Sequence, residues 1–219
     1  MEKVLTRNIG PEQTPTDLKA YEANGGYQGL RKALSDLSPK DCQAVISDSN
    51  LRGRGGAGFP TGMKWSFVPM GDSCTPGHKY LVCNADEMEP GAFKDRLLME
   101  CDPHQLIEGM ILAAYTIGAD LSYNFIRGEY VVAIERLRGA LAECYASGLL
   151  GENILGSGFS LEMNVHPSAG RYICGEETAL INALEGKRAI PRAKPPFPQV
   201  SGLWGRPTIV NNVETLCNI

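Results

Sequence analysis

A glycine-rich stretch over residues 51–65 has the residue types and spacing to bind an anionic cofactor. Five glycines lie within ten residues there. Glycine adopts positive φ and lets the backbone approach a ligand closely, and successive N–H groups in such a loop form a concave anion site. Cations would complement that site, and aromatic rings could stack on a flat group. The cations and aromatics around the loop are Arg52, Arg54, Lys64, Phe59, Trp65 and Phe67. The stretch predicts a site for a flat, phosphorylated cofactor.

Two nucleotide-binding motifs fail on context in this loop. Gly53-x-Gly55-x-x-Gly58 matches the dinucleotide fingerprint, which requires a strand before it and a helix after it. Residues 42–50 instead predict a helix, and Pro60 and Gly62 fall where the following helix should have its interior. The P-loop pattern fails because the lysine follows Gly62 at the wrong spacing with no Ser or Thr next. An ordinary mobile glycine loop stays open as an alternative, but it leaves the cations and aromatics unexplained.

Composition indicates a soluble protein with one domain or one and a half. The chain has 219 residues, 43% hydrophobic and 21% charged, with a net charge of −4. This acidic balance argues against nucleic acid as the main partner. No apolar run approaches the ~18 residues of a membrane span, and the N-terminus lacks a signal-peptide core. We therefore expect a cytoplasmic location.

The seven cysteines show no metal-binding pattern. They are widely spaced, without a Cys-x-x-Cys pair or a Cys/His cluster. In a cytoplasmic protein such cysteines are expected to be small buried hydrophobes. The chain is predicted to bind no metal through residues 42, 74, 83, 101, 144, 174 and 217.

The first 50 residues are predicted to be a leader followed by helices. Residues 1–26 mix proline and glycine with polar residues, which predicts an irregular leader. A short helix is predicted over 29–37. Ser38, Pro39 and Asp41 then supply an N-cap, a proline at the first helical position and an acid three residues after the cap. This capping box predicts a helix to about residue 50, so the main domain is expected to span 51–219.

Strands and helices alternate through the middle of the chain. Strands are predicted over 79–83, 122–127 and 159–165. Asp102 and Pro103 predict a capped helix whose buried face carries Leu106, Ile107, Met110, Ile111, Ala114 and Tyr115. A second helix is predicted over 129–147, stopping at Gly148, with an apolar side of Val132, Ile134, Leu137 and Leu141. This order predicts an α/β layer with an at least partly parallel sheet, and ligands bind such sheets beyond the carboxyl ends of the strands.

Two later stretches are ambiguous when read alone. Gly175 precedes a predicted helix that ends near residue 185, and Glu176 and Glu177 in its first turn suit the helix dipole without any ligand. Residues 191–198 form a proline-rich strap, which is typical of a linker or of a ligand for a proline-binding module. Neither stretch indicates a function by itself.

Four stretches together resemble one family. The chain resembles the flavin- and NADH-binding F subunit of bacterial NADH:quinone oxidoreductase, respiratory complex I, from residue 27 onward. The resemblance rests on 53–65 (GRGGAGFPTGMKW), 83–91 (CNADEMEPG), 172–180 (YICGEETAL) and 194–198 (KPPFP) with 210–215 (VNNVET). It implies a Rossmann-like, non-classical α/β fold, a partly parallel sheet flanked by helices that forms the FMN-binding domain of the complex I flavoprotein.

The resemblance also implies the site. FMN would be held by Gly53, Arg54, Gly55, Gly56, Lys64, Asn84, Asp86, Glu87, Tyr172, Gly175, Glu176, Glu177, Asn211, Asn212 and Thr215. NADH would contact Phe59, Phe67, Glu89, Lys194 and Phe197. The implied reaction passes a hydride from NADH to FMN, then electrons to iron–sulfur clusters and finally to quinone, and no side chain is expected to act as an acid or base. Acidic groups near the ring, among them Glu89, are expected to limit how tightly anionic nucleotides bind.

The resemblance implies partners and leaves alternatives open. Expected partners are two further components of the complex, its thioredoxin-like [2Fe-2S] protein and its large iron–sulfur protein, at the cytoplasmic face of the inner membrane. Family members continue into a ubiquitin-like domain and a [4Fe-4S] domain whose ligands do not occur in this chain, so an N-terminal fragment is expected. The family's usual Gly-Ala-Gly is Ser168-Ala169-Gly170 here. The alternatives are the diaphorase component of an NAD-linked hydrogenase or formate dehydrogenase, and a non-catalytic assembly module without flavin.

Overall fold

Four parallel strands form the sheet at the centre of the computed structural model, which describes residues 3–71 and 77–219. The strands are β1 (Tyr80–Ala85), β2 (Leu121–Ile126), β3 (Glu162–Pro167) and β4 (Thr208–Asn212), in the spatial order β3-β2-β1-β4. Every pairing is parallel. The predicted α/β fold is confirmed, and the sheet is more regular than a partly parallel one. Residue 74, one of the seven cysteines, lies outside the described residues.

Helices cover the sheet and connect its strands. They are α1 (Leu18–Ala23), α2 (Gln28–Asp36), α3 (Pro39–Asp48), α4 (Thr61–Ser66), α5 (Lys94–Cys101), α6 (Pro103–Ile117), α7 (Val131–Ala146), α8 (Glu177–Leu184), α9 (Pro198–Ser201) and α10 (Val213–Cys217). Short 3-10 turns occur at Ile154–Gly156, Tyr172–Gly175 and Leu203–Gly205. Within the described ranges, no helix is both long enough and apolar enough to cross a bilayer.

The two faces of the sheet bury different cores. In β1, Leu81, Cys83 and Ala85 face the larger core, which is filled mainly by the almost wholly buried α6. Tyr80 and Val82 alternate onto the opposite face, where α8 packs. A strand buried on both faces reads as a continuous apolar run. This explains why β1 was visible in the sequence.

The predicted leader is wrong in one respect, because part of it is helical and buried. Asp17 caps α1 with its carboxylate, and Tyr21 of that helix is 3% exposed. Tyr27 is fully buried, with its hydroxyl 3.0 Å from Nδ1 of His104 and its N–H donating to Glu108. The first 50 residues therefore share the main core. The proposed boundary at residue 51 describes sequence organisation.

Capping was predicted correctly for α3 and wrongly for α6. Ser38 and Asp41 form both hydrogen bonds of a capping box. Asp102 is the N-cap residue of α6, but its carboxylate accepts from Asn8 at 2.8 Å instead of capping the helix. A residue 94 positions away took the acceptor, and that competitor could not be seen in the local sequence.

Three further boundaries differ from the prediction. Val132 was assigned to the apolar side of α7 but is 46% exposed, because it lies at the helix start before the buried face begins. The third strand begins at Glu162, while Leu161 forms an isolated antiparallel bridge with Gly151. β4 was not predicted; it follows Pro207, has only five residues and ends in two asparagines.

Helices α6 and α10 approach each other at backbone distance. A Cβ placed on Gly109 of α6 would overlap the carbonyl oxygen of Leu216 in α10. Glycine is required here by close approach, not by φ. The contact fixes α10, which begins directly after β4, against the main core.

Candidate functional site

Two adjoining clefts open at the carboxyl edge of the sheet. The main cleft has a volume of about 830 Å³ and the side cleft about 520 Å³. Both volumes lie in the range of small-molecule sites. Fourteen of the twenty predicted site residues line the main cleft: Gly53, Gly55, Phe59, Lys64, Phe67, Asn84, Gly175, Glu176, Glu177, Lys194, Phe197, Asn211, Asn212 and Thr215. The other six line the side cleft: Arg54, Gly56, Asp86, Glu87, Glu89 and Tyr172.

The glycine-rich loop is closed at its base and open at its tip. Arg52 and Pro60 form an antiparallel bridge, and the Gly53 N–H donates to the Phe59 carbonyl at 2.9 Å. Gly56 and Gly58 have φ of +116° and +64°. Helix α3 precedes the loop, so the rejection of a dinucleotide fingerprint is confirmed. The expectation that Pro60 argues against a following helix is wrong, since α4 begins at the next residue.

Residues from the end of the chain complete the loop. The Arg54 N–H donates to the Thr215 hydroxyl at 2.8 Å, and Trp65 donates its indole N–H to the Asn211 amide oxygen at 2.9 Å. A Cβ on Gly55 would lie 3.2 Å from the Asn212 side chain. Strand β4 and the start of α10 therefore form the floor beneath the loop.

A carboxylate lies between two lysines inside the main cleft. The Lys64 ammonium donates to Glu177 at 2.9 Å and to the Val210 carbonyl at 2.7 Å. The Lys194 ammonium donates to the same carboxylate at 2.8 Å. Burial alone would raise the pKa of the Glu177 carboxyl, but the two ammonium groups outweigh burial and lower that pKa. Glu177 thus faces the cleft as an ionised group paired with both cations.

This arrangement predicts a pH-dependent stability difference for Glu177→Gln. A lowered pKa means that the ionised carboxylate stabilises the fold above the unfolded pKa of about 4.3, and this contribution is lost as pH falls through the folded value. The variant should have a lower free energy of unfolding than wild type near neutral pH, and the gap should shrink in acid. Urea denaturation across pH measures it, with the exposed Glu152→Gln as control. A gap that stays constant with pH would contradict the assignment.

Glu176 has a local role that its neighbour lacks. Its carboxylate accepts from the N–H groups of Thr178 and Ala179, both at 2.9 Å, and so caps α8. Burial would raise its pKa, but these hydrogen bonds and the Lys194 charge outweigh burial and lower it. The simple interpretation of a first-turn acid thus describes Glu176 well. It does not describe Glu177, whose partners come from distant elements.

The acidic loop after β1 sends its side chains in different directions. Asn84 donates to the Gly175 carbonyl at 3.0 Å, where the two clefts meet. Glu87 accepts from the backbone N–H groups of Asp95 and Arg96 and so caps α5. Asp86 is 4% exposed and accepts from the Ser168 hydroxyl at 2.7 Å. The loop combines a structural cap with polar groups at the cleft walls.

Exposed aromatic rings stand at the mouth of the main cleft. Phe59, Phe67 and Phe197 are 45%, 53% and 54% exposed. Large apolar side chains are rarely left in water at a concave site unless something covers them. In the side cleft, Tyr172 donates its hydroxyl to Glu89 at 2.7 Å. These rings could stack on a planar group that enters the main cleft.

Four polar residues that the sequence did not point to also line the clefts. Thr61 and Gln199 lie in the main cleft, each with a buried side-chain oxygen that lacks a partner among the described residues. Lys94 and Asp95 lie in the side cleft and hold both ends of the Asn212 amide, at 3.3 and 2.6 Å. Thr61 lies within the glycine-rich stretch, but nothing in the local sequence marks Gln199. Their roles depend on contacts with distant segments.

The donor and acceptor set fits a flavin nucleotide, the group that the resemblance implies. The glycine loop and the Lys64 ammonium offer donors for a phosphate, and Gly55 leaves room that a Cβ would fill. The buried oxygens without a partner at Thr61 and Asp86 are acceptors suited to hydroxyl groups of a polyol. Among the described residues, no cluster of three or more potential metal ligands occurs.

Comparison with known proteins gives one consistent family. Residues 46–219 match the family of the Nuo51 FMN-binding domain. The chain is 59% identical over 98% of its length to the second F subunit of the NADH-quinone oxidoreductase of Rhizobium meliloti, and 57% identical over 98% to the F subunit of the Escherichia coli enzyme. It covers 50% and 48% of those proteins. The chain thus spans about half the length of the curated relatives it matches.

A solved structure agrees with this result. The whole chain superposes on 34% of a chain from an NAD⁺-reducing [NiFe]-hydrogenase in the H2-reduced state, with a TM-score of 0.79 and 38% identity. At this identity and score the likeness extends to the arrangement of the whole chain. The fold at the clefts is therefore shared with a protein of another oxidoreductase complex.

Proposed function

The chain belongs to the Nuo51 FMN-binding domain family, and from that premise we propose that it binds FMN and oxidises NADH for a larger NADH:quinone oxidoreductase. One observation carries the proposal: a single cleft joins a glycine loop, two lysines and exposed aromatic rings at the carboxyl edge of a parallel sheet. Parallel sheets bind their ligands at this edge.

The residues of the chain would bind and orient both ligands. We assign the FMN phosphate to the glycine loop and Lys64, because loop N–H groups and an ammonium are the donors that a phosphate dianion prefers. Asn84 and Asp86 would receive the polyol chain between the two clefts. Phe59 and Phe67 would stack on the NADH nucleotide, and Lys194 would meet its phosphates. These contacts set the distance between the two rings.

FMN, when bound, supplies the chemistry by accepting a hydride from C4 of the nicotinamide. The protein contributes geometry, exclusion of water and a fixed electrostatic environment. No side chain needs to transfer a proton to the nicotinamide carbon. This is why we assign no catalytic acid or base to either cleft.

The electrons would leave to iron–sulfur clusters and then to quinone through partner proteins of the complex. We propose the thioredoxin-like [2Fe-2S] protein and the large iron–sulfur protein as those partners, and the cytoplasmic face of the inner membrane as the location. The sequence resemblance supports these assignments. The [4Fe-4S] cluster of the family would be held by residues that do not occur in this chain.

The diaphorase component of an NAD⁺-reducing hydrogenase is the second candidate. The structural likeness at 38% identity favours it, but identities of 57–59% to components of quinone oxidoreductases favour the first. A non-catalytic assembly module would keep the fold without flavin. The polar groups of the main cleft argue against that module, because unpartnered buried oxygens are costly unless a ligand satisfies them.

Ferricyanide reduction by NADH, with and without added FMN, tests the proposal. Binding of FMN and FMN-dependent reduction are expected. Protein that refuses FMN would favour the assembly module. A longer chain that includes the second half of the relatives is the control for weak binding by the present residues alone.

Replacing Glu89 should change nucleotide affinity without changing flavin affinity. Its carboxylate bonds to Tyr172 at the wall of the side cleft and would repel a dinucleotide diphosphate. Glu89→Gln should bind NADH and NAD⁺ a few-fold more tightly, about the effect of one partly screened charge. Titration of both nucleotides measures this, with the exposed α7 variant Glu135→Gln as control. Unaltered dissociation constants for both nucleotides would rule out the repulsion.

A further inference from the structure

Ser168 connects the ends of two strands that are not neighbours in the sheet. It follows β3, while the loop after β1 carries Asp86, and β2 lies between these strands. The Ser168 hydroxyl donates to Oδ1 of Asp86 at 2.7 Å, and both residues are buried, at 7% and 4% exposure. A hydroxyl-to-carboxylate bond that is shielded from water is one of the stronger hydrogen bonds in proteins.

The backbone holds Ser168 in place. Its N–H donates to the Ile126 carbonyl at 2.6 Å, at the end of β2, and its hydroxyl also accepts from the Gly170 N–H at 3.3 Å. A Cβ on Gly128 would overlap the Ser168 carbonyl oxygen, so the two loops touch at backbone distance. The serine therefore presents its hydroxyl from a rigid position.

Only one oxygen of Asp86 is used within the described part of the chain. Oδ2 is buried and has no partner among those residues, while Asp86 lines the side cleft. An ionised carboxylate oxygen buried without a hydrogen-bond donor is costly. A donor from a bound ligand would remove that cost.

We infer that Ser168 is a positioning residue for the ligand: by holding Oδ1 of Asp86, it leaves Oδ2 to accept a hydrogen bond from a hydroxyl of the bound cofactor. The inference rests on the proposed function, since FMN carries a polyol chain between its ring and its phosphate. It adds a residue that the sequence marked only as a departure from the family's usual glycine. Ser168 itself touches Asp86 and not the ligand.

The charges around Asp86 give the inference a measurable pH signature. Burial raises the pKa of the Asp86 carboxyl, the Ser168 hydrogen bond lowers it, Glu129 raises it and Arg127 lowers it. The Cys174 thiol is the remaining titratable group that interacts with it. Removing the Ser168 hydroxyl should therefore raise the Asp86 pKa further. A protonated Asp86 is a poorer acceptor, so FMN affinity should begin to fall at a higher pH in the variant.

A double-mutant cycle on FMN affinity tests the inference, with Ser168→Ala, Asp86→Asn and the double variant titrated by flavin fluorescence. Ser168→Ala should weaken binding about tenfold, the effect of one hydrogen bond to a charged group. The same serine substitution should change little once Asp86 is asparagine, because the carboxylate that it positions is gone. Ser122→Ala is the matched control: that serine is also buried in the sheet, but its hydroxyl bonds to the Glu162 carbonyl at 3.2 Å, outside both clefts.

The outcomes separate the inference from the proposed function. Failure of wild type to bind FMN sinks the proposed function and the inference with it. Wild-type binding with unchanged affinity and pH profile in Ser168→Ala overturns the inference alone. An equal loss in the Asp86→Asn background, or in Ser122→Ala, assigns Ser168 a merely structural role and also overturns it. Strong coupling together with an upward pH shift supports it.

Discussion

Lys64→Met should weaken FMN binding by roughly a hundredfold, which corresponds to the loss of a charge-assisted contact of about 3 kcal/mol. The ammonium lies inside the main cleft with 19% of its side chain exposed, so water cannot replace it fully when a phosphate is bound. The change also leaves Glu177 with a single lysine partner in the same cleft. An unbalanced carboxylate there would repel a phosphate further, which adds to the loss.

Flavin fluorescence titration of the purified variant measures this effect. Methionine keeps the length and the apolar stem of lysine, so the packing of α4 should survive. Lys187→Met is the matched control, because that lysine is 66% exposed and pairs with Glu185 away from the clefts. Equal FMN affinity in Lys64→Met and wild type would remove Lys64 from the phosphate site.

Gly109→Ala should lower the free energy of unfolding by about 3 kcal/mol, at the upper end of the cost of overpacking. The new methyl group would meet the backbone carbonyl oxygen of Leu216 and not a movable side chain. Helices α6 and α10 must separate to accept it. Because α10 carries Thr215, whose hydroxyl accepts from Arg54, the glycine loop should also lose its anchor.

Gly139→Ala is the opposite case on a neighbouring helix. Gly139 lies within α7, and no atom outside its own helix lies within 4 Å of where a Cβ would stand, so alanine there should stabilise the helix by about 0.5–1 kcal/mol. Urea denaturation of both variants provides the comparison. If the two alanines shifted stability in the same direction, the close packing of α6 on α10 would be wrong.

Local signals predicted local structure. The cap of α3 and the strand β1 depend on residues that lie next to each other, and both were found from the sequence. The Asp102 cap failed because Asn8, far away in the chain, supplies a better donor. β4 gave no signal because it is short and its last two residues are asparagines that line the cleft. Propensity describes a segment alone, while the sheet depends on what it packs against.

The site was predicted by resemblance more than by chemistry. Residue types near the glycine loop suggested a flat phosphorylated ligand, but the pairing of Lys64 with Glu177 joins residues 113 positions apart. Glu177 read alone was an ordinary first-turn acid. Thr61 and Gln199 could be recognised only once the clefts had walls. The positions of the twenty predicted residues follow from the topology of a parallel sheet, which gathers the ends of all strands at one edge.

The position of β4 beside β1 has a consequence for how the protein is made. The glycine loop leaves the ribosome early, yet its hydrogen-bond partner Thr215 lies 161 residues later than Arg54. At typical elongation rates this interval takes about 10–30 s. During that time the nascent chain has a loop without a floor, so cofactor loading belongs to the period after translation of β4. The supply of flavin to newly finished chains, and not to growing ones, would then set the yield of active protein.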